Sequence, residues 1–392
     1  MAAADASTKG TGRIIRAGGP GRAGRLALSD RLPRPWVFPL LVFAATWLLI
    51  LATWYGSDAV YGRSRPWTWH FVIKDAGFYL GIAEHGYTGD PARAAFFPLF
   101  PLLIHLISYL TGGDYPVAGL IASVACGAAS AVAVWALAAR ACDRWVADRA
   151  VMLYCAFPGA MTFGILYSEP LAVALSAAAL LALLDRRWLL AGIIGAVATA
   201  ERPSMVILVA ASGVAAIQAI WDRREWRALI APALTPLGIL AYFGYLGHRH
   251  HSYGYWFWIE RRGWHQHIDW GLHTLRTLLW LYPREIRHWP YGVLLFITFA
   301  AAVAGIALML SARLPLPLTV FGLLTIVLAV ISSDGGTKPR LVWVAFPIFI
   351  GAAAKLPRAI YWPVLVLSAV GLVFVTGVWP HHTTGMAPWP AP

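Results

Sequence analysis

The feature that most constrains this chain is the recurrence of apolar segments about as long as a bilayer is thick. They follow one another from residue 36 to residue 378, separated by polar stretches. The chain is 59% hydrophobic and 12% charged, whereas soluble domains have about 25% charged residues. In lipid, backbone polar groups must be hydrogen-bonded within the protein, and the alternating pattern of barrel strands is missing from the sequence. The sequence therefore predicts an all-α polytopic membrane protein with one transmembrane domain, residues 36–378.

Charge in the short loops decides how many segments cross the bilayer. The run 96–112 is ambiguous, because Pro98 and Pro101 interrupt it early. If this run lies along the membrane surface, the short loops on one side hold 11 Lys or Arg and those on the other hold 3. Basic short loops mark the cytoplasmic side, and a spanning 96–112 would reverse this bias against the basic N-terminus. We therefore predict a juxtamembrane helix at 96–112 and about eleven transmembrane helices: 36–55, 117–140, 150–167, 169–185, 188–201, 203–221, 229–246, 291–311, 315–331, 340–354 and 359–378.

The same topology assigns the remaining segments. Residues 1–35 contain seven Lys or Arg and two Asp among many Gly and Ala, which predicts a disordered, basic, cytoplasmic tail. The stretches 56–116 and 247–290 become extracytoplasmic loops, and 379–392 becomes an outer tail. The predicted protein is multi-pass in the cell membrane, with its polar chemistry on the outer face. The net charge is +13, but the basic residues lie between apolar segments, where membrane anchoring requires them. No nucleic-acid partner is therefore predicted.

A polar cluster after the first apolar segment is the first candidate for chemistry. It contains Asp75, and in a helix Phe78 and Tyr79 would share a face with this carboxylate. Such a carboxylate could take a proton from a sugar hydroxyl that attacks an activated anomeric carbon. The alternative is structural, because an Asp before Ala-Gly-Phe suits a helix N-cap.

Charged residues near the predicted outer face are the other candidates. Arg202 interrupts an apolar run, where an ionisable side chain is costly and often functional. It could bind the phosphate of a lipid-linked donor or form a structural pair with Glu201. Lys338 and Arg340 could likewise bind phosphate or anchor a helix at the membrane surface. Glu169 could bind sugar hydroxyls or cap the following helix.

Histidine-rich and aromatic stretches lie in the second predicted outer loop. The sequences HRHH at 248–251 and HQH at 265–267 lack acidic partners at the spacing of known ligand sets, so no metal is predicted. No cofactor is predicted either. The aromatic residues between 253 and 270 could stack on sugar or polyprenyl groups, or could form an interfacial aromatic belt.

Four stretches resemble, in the same order, the signature motifs of bacterial PIG-V-like mannosyltransferases, which are relatives of the second mannosyltransferase of GPI-anchor assembly. They are KDAGFYLGIAEHGY at 74–87 with AFFPLFPLL at 95–103, FPGA at 157–160 with YSEP at 167–170, ATAERP at 198–203, and PRL at 339–341 with FP at 346–347. Three positions differ from the family pattern. Lys74 stands where Trp is usual, Phe78-Tyr79 stands where a Trp-Tyr pair is usual, and Glu201 stands where Thr is usual.

The resemblance implies a GT-C glycosyltransferase, a polytopic enzyme that uses a polyprenyl-phosphate sugar. It implies a mannosyltransferase that acts with inversion, with Asp75 as the base in the first outer loop. The donor-phosphate ligands are then expected to be Arg202, Arg340, Lys338 and Lys74, although Lys74 could instead pair with Asp75. The expected substrate-binding residues are Tyr79, Glu84, His85, Tyr87 and Glu169. The expected partners are membrane lipid, the polyprenyl-phosphate sugar and a glycan or glycolipid acceptor.

Two other functions remain as alternatives. A membrane transporter or lipid flippase would also use intramembrane charge, but the paired broken helices that transporters often have in two corresponding halves are missing from the sequence. A transporter should hold its ionisable residues near the membrane midplane, whereas the predicted topology places them at one face. A catalytically silent relative is the third possibility, and consumption of donor by the purified protein would decide it.

Overall fold

Helices make up most of the structure, a computed structural model that describes residues 27–32, 34–279, 289–333 and 338–382. The only β-interaction in these ranges is an isolated bridge between Ile268 and Ser332, so the predicted all-α class is confirmed. The α-helices are α1 (Val37–Val60), α2 (Trp67–Phe71), α3 (Ala76–His85), α4 (Leu99–Ser108), α5 (Tyr115–Ala141), α6 (Arg144–Ala156), α7 (Glu169–Leu184), α8 (Trp188–Thr199), α9 (Ile207–Arg223), α10 (Ile230–Leu234), α11 (Leu237–His250), α12 (Tyr255–Gly263), α13 (Leu272–Leu278), α14 (Trp289–Ser311), α15 (Leu316–Ile331), α16 (Pro339–Val344), α17 (Pro347–Lys355) and α18 (Arg358–His382). The 3₁₀ helices are Leu28–Arg31, Pro91–Ala95, Pro158–Gly164, Pro203–Val206 and Trp226–Leu229.

Several helical stretches are long enough to cross a bilayer. Six in the described part of the chain combine this length with an apolar composition: Val37–Val60, Tyr115–Ala141, Pro203–Arg223, Trp226–His250, Val293–Ser311 and Arg358–Gly377. A seventh is added if Pro158–Gly164 and Glu169–Leu184, which are bent by 109° relative to each other, form one broken span. The polytopic architecture is thereby confirmed. The helices α6, α8, α15 and α17 are shorter, with 9 to 16 residues, so the number eleven stays a prediction.

Antiparallel packing of α5 to α8 decides where the charged residues lie. Helix α5 packs against α6 and α7, and α7 packs against α8. Because only residues 185–187 connect α7 to α8, the start of α7 and the end of α8 lie at the same end of the bundle. Glu169 and Arg202 are therefore neighbours. At the opposite end, Arg140 Nε lies 2.6 Å from Asp185 Oδ1.

Small side chains line the packed helix faces. Ala122, Gly127 and Ala131 of α5 are buried, as are Ala172 and Ala177 of α7. Such residues let two helix backbones approach closely, which is how helices associate in lipid. Large apolar side chains instead face outward, as contact with lipid requires. Examples of exposed apolar residues are Leu41, Leu48, Leu189, Ile217, Val366 and Leu367.

The run predicted as a juxtamembrane helix forms α4. This helix begins after Pro98 and has 10 residues, or about 15 Å, so it is too short to cross a bilayer. One face buries Phe100 and Ile104 in a cluster with α3 and α5. The other face exposes Leu102 and Leu106. This two-sided character suits a helix that lies between protein and membrane surface.

The chain ends differ in part from the prediction. Residues 28–31 form a 3₁₀ helix, the backbone N–H of Ser29 donates to Asp148 Oδ2 at 2.8 Å, and Asp30 pairs with Arg144. These residues are folded, contrary to the predicted disorder up to residue 35, because α6 holds them. Residues 1–26 of that tail lie outside the described residues. Of the predicted outer tail at 379–392, residues 379–382 belong to α18, and 383–392 lie outside the described residues.

Candidate active site

Asp75 stands at the N-cap position of α3, but its side chain makes no capping hydrogen bond. The preceding residue, Lys74, has a φ of 50°, a left-handed conformation that is uncommon for a side-chain-bearing residue. This turn separates α3 from α2. The Asp75 carboxylate instead accepts a hydrogen bond from Arg340 Nη1, at 2.9 Å from Oδ2. The structural alternative of a side-chain N-cap is therefore wrong.

Arg340 is the second residue of the short helix α16, which is held firmly against the bundle. Trp343 is fully buried, donates from Nε1 to the Tyr154 carbonyl oxygen at 2.8 Å and stacks on the Tyr154 ring. On the neighbouring 3₁₀ helix, Gly159 has no side chain where the Pro339 carbonyl and Trp343 pass, and a Cβ there would overlap both. The position of the Arg340 guanidinium thus depends on a packed helix rather than on a loop.

Glu169 connects the two arginines of the site. It is the first residue of α7 and is 2% exposed. Its Oε1 lies 3.4 Å from Arg202 Nη1 and 3.6 Å from Arg340 Nη1. Four segments that are separated in sequence therefore form one chain of charges, Asp75–Arg340–Glu169–Arg202. The N-terminal ends of α3 and α7, which have positive partial charge, both meet this chain.

Accessibility separates the carboxylates of the site. The side chain of Asp75 is 24% exposed, and that of its partner Arg340 is 27% exposed. Glu169 and Glu201 are each only 2% exposed. Of these three carboxylates, Asp75 is therefore the one most exposed to solvent. The Arg340 guanidinium also lies over the ring of Tyr167, at 5.2 Å from its centroid, a cation–π contact that fixes its orientation.

Besides Glu169, Tyr79 is the predicted substrate-binding residue that the fold brings to the site. It lies one helical turn after Asp75 and is buried. Its hydroxyl is 2.9 Å from the hydroxyl of Ser168, the residue before Glu169. The Tyr79 ring packs edge-to-face on Phe96 and Phe100. Tyr79 therefore ties α3 to the start of α7 and belongs to the wall of the site.

Three other predicted substrate-binding residues lie away from this charge chain. Glu84 and His85 pair with each other at 3.7 Å and are about half exposed; they stand nine or ten residues after Asp75 in α3, about 14 Å further along the axis. The hydroxyl of Tyr87 donates to the Phe96 carbonyl oxygen at 2.7 Å, and burial raises the pKa of Tyr87. The contacts described here for these residues are structural, and their role in substrate binding stays a prediction.

The two predicted lysine ligands flank the site in sequence. Lys74 is exposed and precedes Asp75, while Lys338 precedes α16 and lies two residues before Arg340. Lys74 lies in the turn before α3, and Lys338 is the residue directly before α16. Both therefore lie beside the charge chain along the backbone, and the prediction that they bind donor phosphate stays open.

An aromatic cluster adjoins the site on the side of the second outer loop. Phe78 stacks on Phe96 at a centroid distance of 4.8 Å, and Trp264 packs against both rings at 5.2 and 5.4 Å. Phe78 follows Asp75 by three residues, so the cluster lies next to the carboxylate along α3. This arrangement brings one aromatic residue of the second predicted outer loop close to the site.

Metal binding was not predicted, and the described residues give no reason to add it. No group of three or more His, Cys, Asp or Glu in these ranges is arranged to hold a metal ion. The three cysteines Cys126, Cys142 and Cys155 are free. The absence of a metal stays a prediction.

Sequence reasoning left three nearby residues out of the predicted site. Ser168 and Tyr167 directly precede Glu169 in the YSEP stretch. Their position next to a predicted site residue could have identified them as candidates. Glu201 was considered only as the structural partner of Arg202. In the structure its carboxylate lies in the same buried group as Arg202 and Glu169, and this placement depends on the α7–α8 hairpin.

One protein-family model matches part of the chain. Residues 92–257 match the family model PMT_2, described as dolichyl-phosphate-mannose-protein mannosyltransferase. The matched region covers less than half of the chain and contains Glu169 and Arg202, but neither Asp75 nor Arg340. No curated protein matches the chain.

Two solved structures are similar to this chain over most of its length. ArnT from Cupriavidus metallidurans bound to undecaprenyl phosphate matches with a TM-score of 0.50 and 15% identity, over 84% of this chain and 62% of that chain. The Archaeoglobus fulgidus oligosaccharyltransferase, tethered through a disulfide to an acceptor peptide containing the NVT sequon, matches with a TM-score of 0.47 and 12% identity, over 90% and 56%. This chain thus spans less than two thirds of the length of ArnT.

These comparisons define the class to which the fold belongs. The likeness to ArnT confirms the predicted GT-C-like architecture. The family match supports the predicted glycosyltransferase class. The closer resemblance to PIG-V-like enzymes stays a prediction, since the matching family model is a different one.

Proposed function

We propose that this protein is a membrane glycosyltransferase that moves a sugar, mannose, from a polyprenyl-phosphate donor to an extracytoplasmic glycan or lipid-linked acceptor. The observation on which the proposal depends is the contact of Asp75 with Arg340, 2.9 Å from Oδ2 to Nη1. It joins an accessible carboxylate, suited to act as a base, to a cation suited to hold a phosphate. The family match and the GT-C-like fold support the same class.

The proposed reaction is a direct displacement with Asp75 as general base. The oxygen of the acceptor hydroxyl attacks the anomeric carbon and forms the new glycosidic bond. The bond from that carbon to the phosphate oxygen breaks, and its electron pair leaves with the polyprenyl phosphate. The hydroxyl proton passes to Asp75. One attack from the face opposite the leaving group inverts the anomeric centre, so a single base suffices and no covalent enzyme intermediate forms.

The departing phosphate needs positive charge close to it. Arg202 and Arg340 supply guanidinium groups that can form paired hydrogen bonds with phosphate oxygens. Both arginines already touch carboxylates, so a phosphate would exchange some of these contacts for its own. The N-termini of α3 and α7 add partial positive charge. Lys74 and Lys338, which flank Asp75 and Arg340 in sequence, complete the proposed cationic side.

The position of the charges favours a transferase over a transporter. Asp75, Glu169 and Arg340 stand at the beginnings of helices, and Arg202 stands just after one. Charges at helix ends suit a site near a membrane surface, whereas a transporter typically binds near the midplane. With the predicted orientation, basic loops in the cytoplasm, this site opens to the outer side.

The proposal is tested with purified protein in lipid bilayers, polyprenyl-phosphate mannose and a lipid-linked glycan acceptor. We expect the unaltered protein to consume the donor and Asp75→Asn to transfer sugar about 10²- to 10⁴-fold more slowly, the usual effect of losing a general base. Asp185→Asn, which removes a carboxylate at the opposite end of the bundle, is the control and should keep its activity. An Asp75→Asn protein that inserts normally and transfers at the full rate would refute the role of Asp75.

A further inference from the structure

Glu201 is a buried carboxylate that the proposed reaction does not use. It lies in the turn between α8 and the 3₁₀ helix Pro203–Val206 and is 2% exposed. Neither carboxylate oxygen accepts a well-formed hydrogen bond from any of the described residues, although the Ser168 hydroxyl lies beside them. Burial of such oxygens is unfavourable unless a partner satisfies them. The structure therefore holds unused hydrogen-bond acceptors next to the site.

An unused donor accompanies them. Arg202 Nη1 is buried and makes no hydrogen bond within the described ranges, since its contact with Glu169 Oε1 is a looser ion pair at 3.4 Å. Glu201 precedes Arg202 in the chain, and the two side chains interact electrostatically. The hydroxyl of Ser168, which lies beside Glu201, is also 2.9 Å from the hydroxyl of Tyr79.

The combination of groups restricts what can bind between them. A metal cation would suit the Glu201 oxygens but would be repelled by the Arg202 guanidinium. A phosphate directly between the two groups would suit Arg202 Nη1 but would be repelled by Glu201, so the donor phosphate of the proposed reaction would contact other nitrogens of the Arg202 guanidinium. A hydroxyl group satisfies both, because it donates one hydrogen bond and accepts others. The chemistry of the pair thus corresponds to a polyhydroxylated ligand such as a sugar.

We propose that Glu201 accepts a hydrogen bond from one hydroxyl of the transferred sugar while Arg202 donates to the same hydroxyl, so that Glu201 determines which sugar is transferred. This inference rests on the proposed function, because it names the sugar-binding contact of the same site. Glu201 touches the sugar away from the reacting bond. It therefore sets the affinity and selectivity for the donor, and Asp75 remains the base.

The test compares donors that each lack one hydroxyl. Polyprenyl-phosphate mannose and its 2-, 3-, 4- and 6-deoxy analogues are given to the unaltered protein, to Glu201→Gln and to the control Asp185→Asn, which lies at the opposite end of the bundle. We expect one analogue to lose about 10- to 100-fold in kcat/KM with the unaltered protein, the effect of a hydrogen bond to a charged group. With Glu201→Gln the same analogue should lose less than about threefold relative to mannose, whereas Asp185→Asn should discriminate as before.

Equilibrium binding of the same donors to the same proteins separates the two proposals. If the unaltered protein binds the donors but transfers none, the proposed function fails and the binding data still test Glu201. If transfer occurs and every analogue is discriminated equally by the unaltered protein and Glu201→Gln, the inference is overturned and the proposed function stands. Should Glu201→Gln fail to insert, Glu201→Asp, which keeps the charge but withdraws it by one methylene, takes its place. Absence of donor binding by the unaltered protein would overturn both.

Discussion

Because Asp75 and Arg340 form an ion pair, substitutions at the two positions should have coupled effects on the free energy of unfolding. Arg340→Gln removes a charge-assisted hydrogen bond of 2.9 Å to Asp75 and a second contact, 3.6 Å, to Glu169. Asp75→Asn removes only the first of these. Since the two substitutions act on one shared contact, their effects on the free energy of unfolding should not add.

The magnitude follows from burial. A hydrogen bond to a charged group contributes about 1.5–3 kcal/mol, and an exposed ion pair contributes about 0.2–1 kcal/mol. The two side chains are 24% and 27% exposed, so we expect a coupling energy of about 1–2 kcal/mol, between these limits. The single substitution Arg340→Gln should cost more, about 2–4 kcal/mol, because the buried Glu169 also loses a cation.

The assay is a double-mutant cycle on the unaltered protein, both single variants and the double variant. The free energy of unfolding is measured in mixed detergent micelles. The pair Arg140–Asp185 at the opposite end of the bundle is the matched control, since its atoms are 2.6 Å apart and its side chains are 37% and 34% exposed. We expect the control pair to couple by less than about 1 kcal/mol and to leave sugar transfer unchanged. A coupling energy at the site no larger than that of the control would refute the reasoning.

Three further predictions concern the surroundings of the site. Gly159→Ala should displace α16, because the added Cβ overlaps Pro339 and Trp343. We expect the free energy of unfolding to fall by about 1–3 kcal/mol and the transfer rate to fall as well. Thermal unfolding measures the first effect and kcat the second. Tyr79→Phe should cost about 1 kcal/mol of unfolding free energy, and adding Ser168→Ala should cost little more, since both remove one hydrogen bond. Burial lowers the pKa of His70, against the opposing effect of Asp58, so the folded protein prefers the neutral imidazole. Stability should therefore fall as pH drops below about 6.5, and His70→Asn should flatten this slope; an unchanged slope would contradict the assignment.

The fold class and the charged residues of the site were predictable from the sequence for different reasons. The length and apolarity of the segments are properties of single stretches, so an all-helical membrane protein follows directly. Asp75, Arg202 and Arg340 stand out because charge is costly beside apolar runs, and the ordered motifs group them. Their convergence was expected, and the structure brings them together through Glu169.

Other features required the three-dimensional structure. Whether α8 or α15 reaches across a bilayer depends on where each helix ends and bends, which local composition does not determine. Tyr87 belongs to the same motif as Asp75, but its hydroxyl is used by a backbone carbonyl. Glu201 looks in the sequence like a partner for its neighbour Arg202. In the folded α7–α8 hairpin, Arg202 instead forms an ion pair with Glu169. The carboxylate oxygens of Glu201 then have no well-formed hydrogen bond among the described residues.

The distance in sequence between the members of the charge chain has a consequence for biogenesis. Asp75 and Arg340 are separated by 265 positions, and a chain enters the membrane from its N-terminus. Asp75, Glu169 and Arg202 are thus in place while Arg340 is still being synthesised, and during that interval carboxylates outnumber guanidinium groups at the site. Arrival of α16 restores the balance. Completion of the charge chain is therefore a late step of membrane insertion, and a nascent chain halted before α16 would contain Asp75 and Glu169 without the Arg340 guanidinium that contacts both.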